Sequence, residues 1–134
     1  MARSTKNGRA GFTLLELMIV LTIIAILAAI SVPMYRASVL RAKEAVLKNN
    51  LHQLRSVIDQ YTADKKKAPQ SLSDLVDAGY FREIPEDPIT QSRDTWEVIM
   101  DDAVSNPEQT EVGLRDVRSG APGISSEGTA YNSW

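Results

Sequence analysis

Few side chains in this sequence could do chemistry by themselves. There is no cysteine and one histidine, His52. Absence of cysteine removes disulfides, thiolate nucleophiles and thiolate metal ligands. His52 has no metal-ligand spacing around it and no serine and acid in a triad pattern, so it is expected on the surface. Adjacent acids occur at Glu86–Asp87 and Asp101–Asp102, the residue type that glycosidases use in pairs. Both lie in turn-like stretches, FREIPEDP and DDAVSNPEQ, where solvated acids are the rule. No glycine-rich phosphate loop accompanies them. The chain is therefore read as not an enzyme.

One acid stands apart. Glu16 lies near the start of the apolar run Phe12–Val32. At about 1.5 Å per helical residue that run reaches roughly 30 Å, the thickness of a hydrocarbon core. A carboxylate placed there costs about 2.5–3.5 kcal/mol. The helix dipole returns only about 0.3–1 kcal/mol to a first-turn acid, so Glu16 calls for a partner. The preceding residues 1–11, MARSTKNGRAG, hold Arg3, Lys6 and Arg9 and no acid. A basic leader before an apolar run is the layout of an export signal. Cleavage near Ala29, within AILAAISVP, would be the ordinary signal-peptide outcome. The length of the run and the helical pattern that follows it argue instead for a retained membrane segment.

The stretch GFTLLELMIVLTIIAILAAISVP resembles the N-terminal signature of type IV pilins and type II secretion pseudopilins. The resemblance implies that a prepilin peptidase cuts between Gly11 and Phe12 and that the new N-terminus is methylated. It also implies that Glu16, then the fifth residue, meets the N-terminal amine of a neighbouring subunit during assembly. Such a charge is inexpensive only in the correct packing, which makes it a register device. Pro33 follows the apolar run, where pilin-like proteins carry a proline. It is expected to interrupt or kink the helix, because it removes a backbone donor.

The elements that position these residues follow from spacing. Leu40, Leu47, Leu51, Leu54, Ile58 and Tyr61 form one stripe of an amphipathic helix, with Arg41, Lys48, Arg55 and Asp59 assigned to the opposite side. One stem thus runs from about Phe12 to Thr62. SLSDLVDAGYF reads as a short helix with Ser71 and Asp74 in a capping-box arrangement and Gly79 as its stop. TWEVIM, Thr95–Met100, alternates as a strand with Trp96, Val98 and Met100 on one face. Thr110–Gly120 reads as a second strand, antiparallel to the first. The remainder, APGISSEGTAYNSW, is expected to be an ordered loop anchored by Tyr131 and Trp134. The fold class is α+β and pilin-like: a long N-terminal stem on a small antiparallel sheet. Residues 1–11 form the leader, 12–35 the membrane and assembly helix, and 36–134 the head with the amphipathic half-stem, 36–62.

Within the resembling family, GYFREIPEDP and SGAPGISSEGTAYNSW are similar to the helix-to-sheet loop and C-terminal end of the major pseudopilin. Major pseudopilins often hold calcium with aspartates in the last loop. Here Ser119–Trp134 contains no aspartate, leaving Asp116, Ser119 and Glu127 as candidates. Calcium takes about six to eight oxygens, usually with several carboxylates, so no cofactor is expected. Surface-fibre pilins usually close this loop with a disulfide, which cannot form here.

The chain has 134 residues, 15 basic and 17 acidic. It lacks the basic patch that nucleic acid needs; Lys65–Lys67 is the one dense cluster. The resemblance therefore implies a structural subunit of a periplasmic pseudopilus that drives folded proteins across the outer membrane. The implied partners are copies of itself, other pseudopilins, the inner-membrane assembly platform, the prepilin peptidase and the membrane. The implied location is the bacterial inner membrane, single-pass, with the head in the periplasm. A surface-pilus subunit for adhesion, motility or DNA uptake is the alternative. A monomeric membrane-anchored binding domain is a third, which leaves Glu16 without a purpose.

Overall fold

A computed structural model describes residue 11, residues 13–103, residue 107 and residues 111–134. Its elements, in chain order, are α1 (Leu14–Lys65), α2 (Leu72–Asp77), β1 (Trp96–Met100), β2 (Leu114–Ser119) and a 3-10 turn at Tyr131–Ser133. The chain divides into two compact units, Met1–Ser38 and Val39–Trp134.

In the first unit α1 starts after Thr13, whose hydroxyl accepts the Glu16 amide at 3.1 Å. This satisfies one of the amide donors left open at a helix start. Pro33 lies inside α1 and the helix continues through it. The expected interruption is therefore not a break. Proline removes one hydrogen bond from the ladder, and the flanking turns carry the helix across.

In the second unit the stripe Leu47, Leu51, Leu54, Ile58 and Tyr61 is buried. It meets Leu75 of α2, Trp96 of β1, Leu114 and Val117 of β2, Ala121 and Tyr131 in one core. Leu40, expected to begin the stripe, is 38 % exposed, because the core begins further along the helix. The spacing of seven between Leu40 and Leu47 hid the intervening member of the stripe, Glu44, which is buried.

The short helix α2 is set by both its ends. The Asp74 carboxylate accepts the amides of Gln70 at 2.8 Å and Ser71 at 3.2 Å. At the far end the Gly79 amide reaches the Val76 carbonyl and the Tyr80 amide the Leu75 carbonyl, both at 3.0 Å. These two bonds need a left-handed residue between them, and Gly79 supplies it with φ 84°.

The sheet has two antiparallel strands, pairing Trp96 with Ser119 and Val98 with Val117. The register slips between Ile99 and Met100, so Arg115 stands as an extra residue on β2. The second strand is shorter than the expected Thr110–Gly120, and Thr110 lies outside the described residues. Trp96 is buried, with its indole N–H donating to the Pro85 carbonyl at 2.7 Å. Val98 and Met100 share its face but are 44 % and 39 % exposed. The core covers only the Trp96 end of that face. Gly120 is required by proximity, since a Cβ there would stand 2.1 Å from the Thr95 carbonyl oxygen.

Candidate functional site

The apolar segment is the first candidate. Among the described residues, α1 is the one helix long and apolar enough to cross a membrane. Its large side chains from Leu14 to Tyr35 are all exposed. Glu16 occupies the first turn, is exposed, and forms no ion pair among the described residues. Its amide is satisfied by Thr13, yet that bond leaves the carboxylate unpartnered. Gly11 is exposed; Phe12, the residue expected to carry the new amine, lies outside the described residues.

The second candidate is a polar cluster within Val39–Trp134 that the sequence reading missed. Glu44 is 5 % exposed. One carboxylate oxygen accepts the Ser126 amide and the Tyr131 hydroxyl, each at 2.8 Å. The other accepts the Ser126 hydroxyl. Burial opposes the charge of Glu44, but these bonds and the nearby Lys48 outweigh it and hold its pKa below the ordinary glutamate value. The same pairing pushes Tyr131 up to about 12, through burial first and then the Glu44 contact. One carboxylate thus gathers both ends of the segment Ser126–Tyr131 onto the stem.

Two cations of α1 reinforce this arrangement, although the spacing assigned them to the opposite side. Lys48 pairs with Glu127 at 3.1 Å and stands 4.7 Å from the centre of the Trp134 ring. Arg55 donates to Asp116 at 2.7 Å, to the Val117 carbonyl at 3.0 Å and to the Trp134 main-chain oxygen. Seven residues apart, Lys48 and Arg55 lie in one row beside the stripe, where Lys48 contacts the C-terminal segment and Arg55 both that segment and β2. Trp134 packs edge-on against Tyr131 with centroids 5.3 Å apart, as expected of a segment anchored by those two rings.

The candidate calcium ligands are not brought together. Asp116 is held by Arg55, and Glu127 by Lys48. The Ser119 hydroxyl donates to Asp87 at 2.5 Å. Among the described residues no group of three or more histidine, cysteine or acidic side chains could hold a metal ion. Asp87 itself corrects the sequence reading: it is fully buried rather than solvated. Its carboxylate caps the turn that follows, accepting the Ile89 amide at 2.8 Å as well as Ser119. Glu86 and Asp102 are exposed, as expected, and so is His52.

Comparison with known proteins gives a consistent picture. Residues 6–32 match the prokaryotic N-terminal methylation motif. The chain is 31 % identical to the type II secretion system core protein G of Aeromonas hydrophila, over 62 % of this chain and 69 % of that protein. With the core protein G of Escherichia coli K12 it is 32 % identical, over 64 % and 70 %. It is 42 % identical to the type IV major fimbrial protein FimA of Dichelobacter nodosus, over 48 % of this chain and 41 % of that one. The chain spans about half or less of the length of the fimbrial relatives it matches. No solved structure matches the chain.

Proposed function

Because the chain belongs to the pilin-like family of the type II secretion core protein G, we propose that it is a structural subunit of a periplasmic pseudopilus. In this reading residues 1–11 are removed, Phe12 becomes the methylated N-terminus, and residues 12–35 anchor the subunit in the inner membrane. Polymerisation draws those helices together and drives folded proteins through the outer membrane. The partners are further copies of the chain, other pseudopilins, the assembly platform and the prepilin peptidase. Neither catalysis nor a cofactor is required.

The observation that carries the reading is the exposed apolar helix with a single acid in its first turn that forms no ion pair among the described residues. An exposed surface of that kind in water marks an assembly or membrane face. A monomeric anchor would gain nothing from Glu16, whereas a filament can satisfy it from the next subunit. The core protein G matches also cover more of both chains than the fimbrial ones.

The fimbrial relatives support a second reading, a subunit of a surface pilus. Deleting the gene in its own host separates the two. The pseudopilus reading expects exported proteins to accumulate in the periplasm while surface fibres remain. Loss of surface fibres with normal export would establish the surface-pilus reading instead.

A further inference from the structure

The two edges of the sheet differ. Side chains close the outer edge of β2: the Val117 amide donates to the Asp116 carboxylate at 2.8 Å, and the Val117 carbonyl accepts Arg55 at 3.0 Å. These groups of Val117 point away from β1, so its cross-strand partner Val98 exchanges no ladder bonds with it. The Val98 N–H and C=O therefore turn to the other edge of β1. The sheet has two strands only, and no other group among the described residues bonds the Val98 main chain. Val98 is exposed, so this edge is open.

The same strand borders a groove of about 560 Å³. Leu72 and Val76 of α2, Ile84, and Trp96 and Val98 of β1 give it apolar walls. A strand added beside β1 would lay every second side chain over this groove, on the face that Trp96 and Val98 share. Proteins commonly blunt an open edge with lysine, proline or a bulge. The WEVIM strand contains neither lysine nor proline, and the extra residue of the bulge, Arg115, stands on β2. We propose that the open edge of β1 and its groove bind an extended segment of another polypeptide, with apolar and basic residues alternating, as a third strand.

Charge selects that occupant. Asp94, Glu97 and Asp102 follow the edge and Asp77 stands on the groove, all of them exposed. Arg93 of the groove is paired with Glu83 at 3.1 Å. Arg82 forms no ion pair among the described residues, and the acids outnumber it. A basic segment is attracted to such a site, and an acidic one is repelled. A second copy's β1 is disfavoured on the same ground. Antiparallel pairing about Val98 would set Asp94 of each copy opposite Asp102 of the other, and like charges directly opposite are destabilising. The alternation fixes the order within the segment. Apolar residues stand opposite Trp96, Val98 and Met100, and basic ones opposite Asp94, Glu97 and Asp102. All these residues lie in the unit Val39–Trp134.

The probe is a synthetic peptide, Lys-Lys-Val-Thr-Val-Lys-Val-Thr-Lys, whose central valine stands opposite Val98 in antiparallel pairing. The full chain in detergent is titrated with it. Anisotropy of the labelled peptide reads binding, and amide hydrogen exchange reads Val98. Wild type is expected to bind the peptide about tenfold more tightly than a version with proline at the centre, which lacks the donor for the Val98 carbonyl. A version with glutamate for every lysine is expected to bind at least about tenfold more weakly, and added salt to weaken the basic peptide. Exchange at the Val98 amide is expected to slow about tenfold on binding. D94N/E97Q/D102N, which alters exposed side chains only, is expected to lose about tenfold in affinity. V98P removes the edge donor without removing a ladder bond and is expected to lose binding; the proline peptide tests the same contact on an unaltered chain. No binding by wild type, equal binding of the valine and proline peptides, or an unprotected Val98 amide overturns the added strand. Unchanged affinity in D94N/E97Q/D102N overturns the basic partner. Self-association of wild type that V98P abolishes overturns the proposal by assigning the edge to a second copy.

Discussion

Glu44 and Tyr131, 87 positions apart in sequence, share a hydrogen bond of 2.8 Å in the buried flank of the head. The same carboxylate holds Ser126 by its amide and its hydroxyl. In this chain one stem carboxylate provides a direct fastening.

Removing that carboxylate strands two hydroxyls and an amide. Glu44→Ala is expected to destabilise the chain by about 1–3 kcal/mol, the cost of leaving the buried Tyr131 hydroxyl unsatisfied. Glu44→Gln retains one acceptor oxygen and loses less. Thermal melting of the detergent-solubilised chain checks the order. Limited proteolysis should show new cleavage between residues 121 and 134. Calcium or a chelator should leave the wild-type melting temperature unchanged; a rise with calcium would mean that a metal shares the fastening.

The pair also sets a pH dependence. Glu44 has a native pKa below its unfolded value, so its contribution is present above the unfolded value and is lost as pH falls through the native one. Tyr131 has the opposite sign: raised from 10.0 to about 12, its contribution is complete below 10.0 and disappears as pH climbs toward 12. Stability of the C-terminal segment should therefore plateau between these limits. Trp134 fluorescence in a Trp96→Phe background reports it, because Trp134 packs on Tyr131. In Glu44→Gln the acid limb should vanish while the head remains folded.

The stripe predicts a gradient along one helix. Leu54 is fully buried, and Leu54→Ala should lose about 2–5 kcal/mol. Leu40→Ala, at a partly exposed position, should lose under about 1 kcal/mol, and His52→Ala should change little. Equal losses at Leu40 and Leu54 in melting experiments would show that Leu40 also packs into a core.

These residues show what the sequence carried and what it hid. Elements with a strong local signal were legible: the apolar run, the amphipathic stripe, the Ser71–Asp74 start and the Gly79 stop. Glu44 was not, because a hydrophobic pattern passes over a buried acid. Yet its position, four after Leu40 and three before Leu47, is a stripe position, and an acid there was the available signal. Lys48 and Arg55 were misassigned because a row beside the stripe is a flank from which long cations still reach the C-terminal segment and β2. Asp87 was read from a proline-rich composition, which cannot distinguish a solvated turn acid from one that caps a turn inside the core. In each case the partner lies far away in sequence, at Ser126, Asp116 or Ser119.

Processing makes its own prediction. The mature chain should begin at Phe12 and carry a methyl group, which intact mass and N-terminal fragmentation will show. Its 12 basic and 17 acidic residues then give a net charge of −5. A mature chain starting near Ser31 would mean that the apolar run is an ordinary signal peptide and that no anchored filament forms.

Glu16 gives the most discriminating prediction. Its amide is already satisfied by Thr13 at 3.1 Å, so replacing the side chain leaves the helix start intact. Glu16→Leu removes a charge that costs energy in hydrocarbon and should insert at least as well as wild type. Assembly should nonetheless fail or slow sharply, because an incoming amine loses its acidic partner at that depth. Glu16→Asp, with the carboxylate on a shorter arm, should assemble weakly. Thr13→Ala supplies the control: it loses the cap, by about 0.5–2 kcal/mol, but keeps the acid, and should still assemble. Membrane fractionation measures insertion, electron microscopy scores filaments, and enzyme activity in the medium scores export. Normal filaments from the Glu16→Leu chain alone would sink the register role. Failure of Glu16→Leu and Thr13→Ala alike would assign the residue to the helix start instead.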